Sequence, residues 1–501
     1  MLANIIHGFQ GSFEPLNFLM LFSGVVAGIV FGALPGLTGP MAIALFIPIT
    51  YSMDVTPALL MLVGIYSGSV YGGSITAILL KIPGDSGNAA TCFDGYVMAK
   101  NGEAGKALGY SAACSALGGI FSGIILLFLA PPLADLAVTF GPAEYFAMAF
   151  MGLCAISSLG GGNQLKSVTA CIIGLLMACV GTDEISGVAR LTFGSSFLQD
   201  GIQFVPAMIG LFAYSEIFDQ ITHEAKSGEL LVKGASTKLP SFKEMWSYKY
   251  LMLKSAIIGT WIGILPGTGA TLASFLGYSE AVRSSKHPEK FGTGIPEGVV
   301  APETANNAAV GGSFVPTLAL GIPGSGAATL LISALALHGV RTGPMIFIQQ
   351  TEMTYSIIIG FLITNLIFLA LGVFGTRYFG KLLEIPYFLL FPIVIILTVI
   401  GSFAIRNNTG DVLLMLVLGV IGYFLIKKAG FPIAPIILGL VLGGLMENNF
   451  RRAYLMTRSL SGVLFRPIAG TIMLISFVFL LVPIYKNLKD RRKKRETEKT
   501  L

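Results

Sequence analysis

Charged side chains are scarce in this chain. Aspartate, glutamate, lysine and arginine make up 12% of the 501 residues, whereas hydrophobic residues make up 54%. Soluble domains usually contain about 25% charged residues. The net charge of +6 does not indicate nucleic-acid binding, because the basic residues lie mainly in loops and in the tail at 486–499. The composition therefore predicts an integral membrane protein.

Residues that commonly carry chemistry are few and scattered. The five cysteines form no Cys-x-x-Cys pair, and the four histidines show no metal-binding spacing. The chain has no phosphate-binding loop, nucleophile elbow or kinase signature. Residues 1–15 also lack the basic and apolar regions of a cleavable signal peptide. We therefore expect no enzyme activity, no metal site and no cofactor.

Long stretches without charge dominate the chain, and a membrane helix needs about 20 apolar residues. The charge-free stretches are 15–53, 55–80, 107–134, 145–165, 167–182, 255–279, 304–340, 354–376, 385–405, 412–426, 431–446 and 467–485. Lipid offers the backbone no hydrogen-bond partners, so membrane spans are helices or closed barrels, and runs of this length are not typical of barrel strands. The sequence predicts an all-α polytopic membrane protein with about 11 to 14 helical elements.

The chain contains an internal repeat. The motifs GALPG, GGS and IPGDSG at 32–36, 72–74 and 82–87 recur as GILPG, GGS and IPGSG at 263–267, 311–313 and 322–326. Their order and near-spacing are kept. The most polar stretch, with four acids and five lysines, separates the two copies. We predict a first transmembrane repeat at 1–218, a polar connecting segment at 219–250, a second repeat at 251–445, a C-terminal transmembrane region at 446–485 and a basic cytoplasmic tail at 486–501.

The repeated motifs predict broken helices. Proline lacks an amide hydrogen and glycine tolerates left-handed backbone angles, so a Pro-Gly pair ends a helix. The freed backbone groups need partners that lipid does not supply, so such breaks occur inside protein or beside a wet cavity. A kink or close helix packing is the alternative for any single motif. Matched pairs in related halves favour a secondary transporter, because half-helix N termini direct positive dipole ends at an anion.

Several donors must converge to bind a carboxylate at this depth, since one helix terminus contributes at most about 2 kcal/mol. The predicted substrate-binding residues are those of the breaks and the adjacent hydroxyl, amide and ammonium groups: Pro35, Gly36, Thr38, Gly73, Ser74, Lys81, Pro83, Gly84, Ser86, Asn88, Pro266, Gly267, Thr268, Asn307, Gly312, Ser313, Pro323, Gly324 and Ser325. Hydroxyls and amides also bond between helices without binding a ligand, and that alternative stays open for each of them.

Charged residues adjoin the breaks. Ionisable groups at membrane depth usually face a cavity, pair with one another, or carry protons or ions. Lys81 either contacts a substrate carboxylate or forms a salt bridge with Asp85. Glu303 either opens a helix after Pro302, where an acid is electrostatically favoured, or binds a proton or cation. We assign Asp85, Glu303 and Asn306 as candidate ion-coupling residues.

These motifs resemble those of a known family. GALPGLTGP, GGSITAILLKIPG, DGYVMAKNGEAGKALG, ILPGTGA, APETANNAAVGGSFVPTLALGIPGSGAAT and HGVRTGPMIF strongly resemble the large membrane subunit, the TctA family, of tripartite tricarboxylate transporters. The resemblance spans about residues 18–445, and the string APETANNAA is especially specific. Where the family usually has Asn-Ile-Pro-Gly, this chain has Lys81 before Ile-Pro-Gly. The additional cation either suits a more anionic substrate or neutralises Asp85.

The resemblance implies a bacterial inner-membrane subunit that works with a small four-helix membrane subunit and a periplasmic solute-binding protein. It implies uptake of a carboxylate by symport with sodium or protons, without ATP hydrolysis by this subunit. A homodimer is compatible with it. An anion channel is the alternative function, because a channel could use the same broken helices but would conduct without gradient coupling.

The resemblance also implies that the two halves are inverted with respect to the membrane, and the charges of two loops support this expectation. Lys100 and Lys106 follow the first Ile-Pro-Gly, whereas only Arg341 follows the second. Positive charge accumulates in cytoplasmic loops, so these loops are predicted to face opposite sides of the membrane.

Overall fold

The computed structural model describes most of the chain. The described residues are 1–34, 37–159, 164–183, 185–215, 217–218, 238–265, 269–382, 392, 395–396, 398–400, 402–403, 406–478 and 480–481. Within them, all regular structure is helical except one two-stranded antiparallel ribbon. The prediction of an all-α polytopic membrane protein is confirmed.

The first part of the chain contains ten α-helices and the ribbon among the described residues. They are α1 (Leu2–Phe13), α2 (Pro15–Ala33), α3 (Gly39–Thr50), α4 (Val55–Leu80), α5 (Thr91–Met98), α6 (Ala104–Ala137), α7 (Pro142–Leu159), α8 (Gln164–Ala178), strands β1 (Gly181–Thr182) and β2 (Ala189–Arg190), α9 (Ser196–Gln199) and α10 (Phe204–Ile209). A 3₁₀ turn forms at Ser86–Asn88, and π-helical segments form at Ala99–Glu103 and Gly210–Tyr214.

The second part contains further helices of widely different length. They are α11 (Phe242–Ser247), α12 (Lys249–Ile264), α13 (Gly269–Ser284), α14 (Glu297–Ala319), α15 (Gly326–Leu337), α16 (Ile346–Gln349), α17 (Thr351–Leu382), α18 (Thr409–Tyr423), α19 (Ile433–Thr457), α20 (Leu460–Leu464) and α21 (Pro467–Val478). A 3₁₀ turn forms at Pro288–Lys290 and a π-helical segment at Phe424–Lys428.

The helices include full spans and half spans. Among the described residues, the helices long and apolar enough to cross a membrane are Pro15–Ala33, Val55–Leu80, Thr91–Ala137, Thr351–Gly375 and Thr409–Ile426. Helices α3 and α15 are also apolar but contain 12 residues each. Such a helix is about 18 Å long, little more than half of the roughly 30 Å hydrocarbon core. Both follow a Gly/Pro break, as expected for interrupted spans.

The chain divides into two compact units. Unit 1 consists of Met1–Val138 and Val205–Tyr423, and unit 2 consists of Thr139–Phe204 and Phe424–Leu501. All described residues of the predicted sites lie in unit 1. The predicted repeat boundaries describe a duplication of the sequence, which the division into compact units does not test. They therefore stay a prediction.

Equivalent helices of the two predicted repeats pack in the same way. Glycines bring α2 and α4 into backbone contact, and a Cβ atom on Gly32 would overlap the carbonyl oxygen of Ser69. In the second copy, α12 contacts α14 in the same manner, and a Cβ on Gly263 would overlap the carbonyl oxygen of Ala309. Small residues are typical of such close helix contacts in membranes. The duplicated sequence motifs therefore correspond to duplicated helix packing.

The two Ile-Pro-Gly motifs end their helices with the same backbone geometry. In each copy the isoleucine N–H donates to the carbonyl six residues earlier, over 3.4 Å from Ile82 and 3.2 Å from Ile322. The residue before the isoleucine is left-handed, with φ of 60° at Lys81 and 70° at Gly321. A left-handed residue directly after the last helical turn is a common way for a helix to end. The predicted helix breaks at both motifs are confirmed.

Lys81 occupies a backbone conformation that favours glycine. A left-handed residue with a Cβ atom costs roughly 1–2 kcal/mol, so we expect Lys81→Gly to stabilise the protein by up to about 1 kcal/mol. For the same reason Gly321→Ala should destabilise it by about 1 kcal/mol or more. Thermal unfolding of the detergent-solubilised variants measures both effects. A lower Tm for Lys81→Gly would contradict the expectation and indicate that the lysine side chain contributes more than the strain costs.

Unit 2 contains a cluster of ion pairs that joins the ribbon to α19. The Arg451 Nη1 atom donates to Asp183 Oδ2 at 2.7 Å, and Arg190 Nη1 donates to Glu447 Oε1 at 2.7 Å. The hydrogen bond from Arg451 holds the pKa of the Asp183 carboxyl well below its usual range. The acids and bases of this cluster therefore neutralise one another.

Candidate functional site

The segments that follow the helix breaks lie against one another. Helix α3, after the first Leu-Pro-Gly, packs against α15, after the second Ile-Pro-Gly. Reciprocally, α13, after the second Leu-Pro-Gly, packs against the 3₁₀ turn Ser86–Asn88, after the first Ile-Pro-Gly. In this second contact Ser86 Oγ lies 2.6 Å from Thr271 Oγ1. Each break in one half therefore faces a break in the other half.

A buried carboxylate lies beside these segments. The Glu303 side chain is 0% exposed in the interior of α14. The expectation that Glu303 opens a helix after Pro302 is wrong, because α14 begins at Glu297 and continues through Pro302. The alternative interpretation of Glu303, as a proton or cation ligand, is untested by this placement and stays a prediction.

The Glu303 carboxylate accepts hydrogen bonds from the other half of the chain. Its Oε1 atom accepts from Thr91 Oγ1 at 2.5 Å and from Asn88 Nδ2 at 3.2 Å. Its Oε2 atom accepts from Ser115 Oγ at 3.0 Å and from Ser111 Oγ at 3.5 Å. The donors are neutral side chains of the 3₁₀ turn, α5 and α6. Several convergent donors stabilise a buried carboxylate, and here they join the two halves.

Two asparagines extend this network towards the first break. Asn306 Nδ2 donates to the backbone oxygen of Gly87 at 3.2 Å and lies 3.5 Å from Glu303 Oε1. Asn307 Nδ2 donates to Asn306 Oδ1 at 2.5 Å. Asp85 reaches the same turn, because its Oδ1 atom accepts from the Gly87 N–H at 3.0 Å. The three candidate ion-coupling residues thus surround one short turn.

Lys81 and Asp85 are not joined by a salt bridge in the structure, which describes both residues. The Lys81 side chain is exposed, and its Nζ atom lies 5.6 Å from the centre of the Tyr96 ring. The Asp85 carboxylate instead accepts from the Gly87 N–H and, at 3.4 Å, from Ser86 Oγ. Neutralisation of Asp85 by Lys81 is therefore wrong for this structure. Contact between Lys81 and a substrate stays a prediction.

The second break is held by a chain of hydroxyl groups. Ser325 caps α15 by accepting from the Ala328 N–H at 3.1 Å. The Tyr66 hydroxyl lies 2.7 Å from Ser325 Oγ and 3.3 Å from Ser313 Oγ. Ser313 in turn donates to the Val310 carbonyl at 2.7 Å. The predicted residues Ser313 and Ser325 are thus brought together by a tyrosine of the first half.

Further contacts at the first break involve both backbone and side-chain groups. The Gly84 N–H donates to the Gly73 carbonyl at 3.2 Å. Ser74 donates to the Tyr71 carbonyl at 2.7 Å and lies 2.6 Å from Ser111 Oγ, which belongs to the Glu303 network.

The other predicted residues have packing or capping positions. Thr38 caps α3 by accepting from the Met41 N–H at 3.4 Å. The Gly324 N–H donates to Thr317 Oγ1 at 3.2 Å, and Gly312 packs against the Thr260 carbonyl. Pro83 is exposed, whereas Pro323 is buried. Pro35, Gly36, Pro266, Gly267 and Thr268 lie outside the described residues.

Some residues of the site were not predicted from the sequence. Ser111 and Ser115 lie one helical turn apart in the charge-free run 107–134, and this i, i+4 pair of hydroxyls was the available signal. Tyr66 gave no local signal, since its partners lie 247 and 259 residues away.

Another unpredicted residue, Asp94, anchors the loop that precedes α14. It is 0% exposed, and its carboxylate accepts from Tyr278 Oη at 2.9 Å. The same carboxylate accepts from the backbone N–H groups of Gly292, Gly294 and Ile295 at 2.8–3.2 Å. These four donors hold the start of α14 against α5.

Unit 2 contains a separate polar cavity of about 380 Å³, lined in part by Thr182, Asp183, Arg190 and Glu447. None of the predicted site residues lines it, and its charged groups include the paired acids and bases described above. Among the described residues, no group of three or more His, Cys, Asp or Glu side chains is arranged to hold a metal ion.

The fold and the site define a class of protein. The chain is a multi-pass membrane protein in which interrupted helices of two halves meet beside a buried polar centre, an architecture typical of secondary transporters. A family model described as the tripartite tricarboxylate transporter TctA family matches residues 18–438. The chain belongs to this family, which comprises the large subunits of tripartite tricarboxylate transporters. The resemblance inferred from the sequence motifs is confirmed, and the family is one of transporters.

The relatives that match are proteins of Agrobacterium vitis. The chain is 38% identical over 495 residues to a 52.8 kDa protein in the TAR-I ttuC′ 3′ region, covering 99% of this chain and 98% of that protein. It is 39% identical over 235 residues to a protein in the TAR-II ttuC′ 3′ region, covering 47% of this chain and 97% of that protein. No solved structure matches the chain.

Proposed function

We propose that this chain is the large transmembrane permease subunit of a tripartite secondary transporter that imports a tricarboxylate or a related carboxylate. A periplasmic solute-binding protein delivers the substrate, a small four-helix membrane subunit completes the complex, and symport with sodium or protons drives uptake. The observation that carries the proposal is the meeting of the segments that follow the four breaks. Membership of the TctA family supports it.

The substrate site is proposed to lie among the helix N termini at the breaks. Helices α3, α13 and α15 begin directly after breaks, and the first turn of a helix carries unpaired N–H groups and a positive partial charge. The hydroxyls of Thr38 and Ser325 lie at two of these termini. Carboxylates bind well at such termini. The substrate-binding residues predicted from the sequence remain the proposed lining of this site.

The coupling ion is proposed to bind at Glu303, Asn306 and Asp85. The hydrogen-bond partners of the Glu303 carboxylate are neutral groups. Within the described part of the chain, no cationic side chain pairs with this buried negative charge, so it can bind a sodium ion or proton that enters with the substrate. The freed carbonyl groups at helix breaks are suitable additional ligands for such a cation.

The proposed setting is the bacterial inner membrane. The basic tail at 486–501 is expected on the cytoplasmic side, because lysine and arginine are enriched in cytoplasmic segments. The two repeats are proposed to be inverted, and a homodimer is the oligomeric state to be tested.

Reconstitution tests the proposed function. The proteoliposomes contain this chain and the small subunit, and the cognate binding protein is added outside. Under either a sodium or a proton gradient they should accumulate citrate or succinate, and the rate of uptake should saturate as the carboxylate concentration rises. Vesicles without the binding protein are the control and should show little uptake. Flux that is not saturable and follows only the concentration gradient of the carboxylate would contradict the proposal and favour a channel.

A further inference from the structure

The hydroxyl chain at the second break has one direction that satisfies every contact. Ser313 donates its single hydroxyl proton to the Val310 carbonyl, so it accepts from Tyr66. Tyr66 has then used its own proton and accepts from Ser325. Ser325 meanwhile accepts from the Ala328 N–H of α15. Each hydroxyl thus donates once and accepts once, which is the full use of a buried hydroxyl chain.

The hydroxyl at the centre of this chain comes from the other half of the protein. Tyr66 lies on α4, is 4% exposed, and packs its ring 5.8 Å from that of Phe314. Its partners Ser313 and Ser325 lie on either side of the second Ile-Pro-Gly. Tyr66 therefore spans the break and fixes the distance between the end of α14 and the first turn of α15.

The first break is held in the reciprocal way. Its turn is bonded by residues of α14, through Glu303 to Asn88 and through Asn306 to the Gly87 carbonyl. Each break is thus bonded by a polar side chain from the opposite half.

We propose that Tyr66 is a positioning residue of the substrate site. This inference rests on the proposed function, in which a substrate carboxylate binds at the N terminus of α15. The Tyr66 hydroxyl holds Ser325 Oγ against Ser313, so the first turn of α15 and its N–H groups are in place before the carboxylate arrives. Preorganised donors bind a ligand more tightly because less conformational freedom is lost on binding.

The test compares two tyrosine-to-phenylalanine substitutions on one helix. Tyr66→Phe removes the central hydroxyl and keeps the ring contact with Phe314. Tyr71→Phe is the matched control, because Tyr71 is 0% exposed and stacks on Phe368 at 5.1 Å, while its hydroxyl has no partner within the described part of the chain. Both variants lose one oxygen atom from the core of α4.

Binding and transport are measured separately on the purified complex. The ligand is citrate, or succinate if the wild type does not transport citrate. Calorimetry gives the Kd of the ligand, and uptake into proteoliposomes gives the maximal rate of transport. Tyr66→Phe should raise Kd by about 2- to 12-fold, the factor expected for one hydrogen bond, and change the maximal rate by less than about twofold. Tyr71→Phe should leave both values as in the wild type.

Serine variants separate failure of the inference from failure of the proposed function. If Ser325→Ala raises Kd but Tyr66→Phe does not, the positioning role is wrong and the substrate site stands. If Ser313→Ala, Ser325→Ala and Tyr66→Phe all bind as the wild type does, the proposed placement of the substrate is itself wrong. If Tyr66→Phe and Tyr71→Phe weaken binding equally, the effect comes from core packing and the inference is overturned.

Discussion

Replacing Glu303 by alanine is expected to cause a large loss of both protein stability and carboxylate uptake. The substitution removes the acceptor of hydrogen bonds from Thr91, Asn88, Ser115 and Ser111. A buried donor left without a partner costs about 1–3 kcal/mol, so we expect a loss of at least about 3 kcal/mol. Thermal unfolding in detergent and the amount of folded protein in the membrane measure it. Wild-type stability of Glu303→Ala would contradict the expected role of the network.

Glu303→Gln separates the charge of this residue from its hydrogen bonds. The amide oxygen can replace Oε1, and the amide nitrogen can donate to the hydroxyls of Ser111 and Ser115, which accept as readily as they donate. We therefore expect a folded protein that has lost gradient-driven accumulation of the carboxylate. Glu297→Gln is the control, since Glu297 lies in the first turn of the same helix and is half-buried. Retained sodium- or proton-driven accumulation in Glu303→Gln would remove Glu303 from ion coupling.

A methyl group at the glycine of either Ile-Pro-Gly is expected to disrupt the breaks. A Cβ on Gly84 would overlap the carbonyl oxygen of Gly32 and lie 2.7 Å from the Cα atom of Gly73. A Cβ on Gly324 would lie 2.6 Å from the Cα atom of Ser313. These neighbours are backbone atoms of packed helices and cannot turn away as a flexible side chain does. We expect Gly84→Ala and Gly324→Ala each to lose about 3 kcal/mol or more and to abolish uptake.

Gly326→Ala is the matched control for this prediction. Gly326 lies two residues after Gly324, at the first position of α15, and no described atom comes within 4 Å of a Cβ built on it. Alanine is also the better helix residue, by up to about 1 kcal/mol. The variant should therefore fold with at least wild-type stability. If Gly324→Ala and Gly326→Ala lose equal amounts of stability, glycine is required here for backbone flexibility and not because a Cβ atom would overlap neighbouring atoms.

The helix breaks could be predicted from the sequence because their causes are local. Proline and glycine act on the backbone within a few residues, and helix α4 accordingly ends just before Pro83 and Gly84. The proposed polar surroundings followed from the same logic, and Ser313 and Ser325 do lie together beside the second break.

The rest of the site could not be predicted, because it depends on contacts between distant residues and on residues that depart from the usual local preferences. One of the two interpretations of Glu303 places it at a helix start because proline is common there, but α14 contains Pro302 in its interior. Lys81 was interpreted through its charge, whereas its backbone conformation is the feature that it shares with Gly321. The contact between Tyr66 and Ser325 joins residues 259 positions apart, and no pattern within either segment encodes it.

The reciprocal bonding of the two breaks has a consequence for synthesis of the chain. Thr91 emerges from the ribosome 212 residues before Glu303, which at about 5–20 residues per second means a delay of roughly 10–40 s. During that interval the hydroxyl and amide groups that later donate to the Glu303 carboxylate are already in or near the membrane, and their acceptor has not yet been synthesised. The nascent first half therefore depends on water, on the translocation machinery or on provisional contacts among its own helices until α14 arrives.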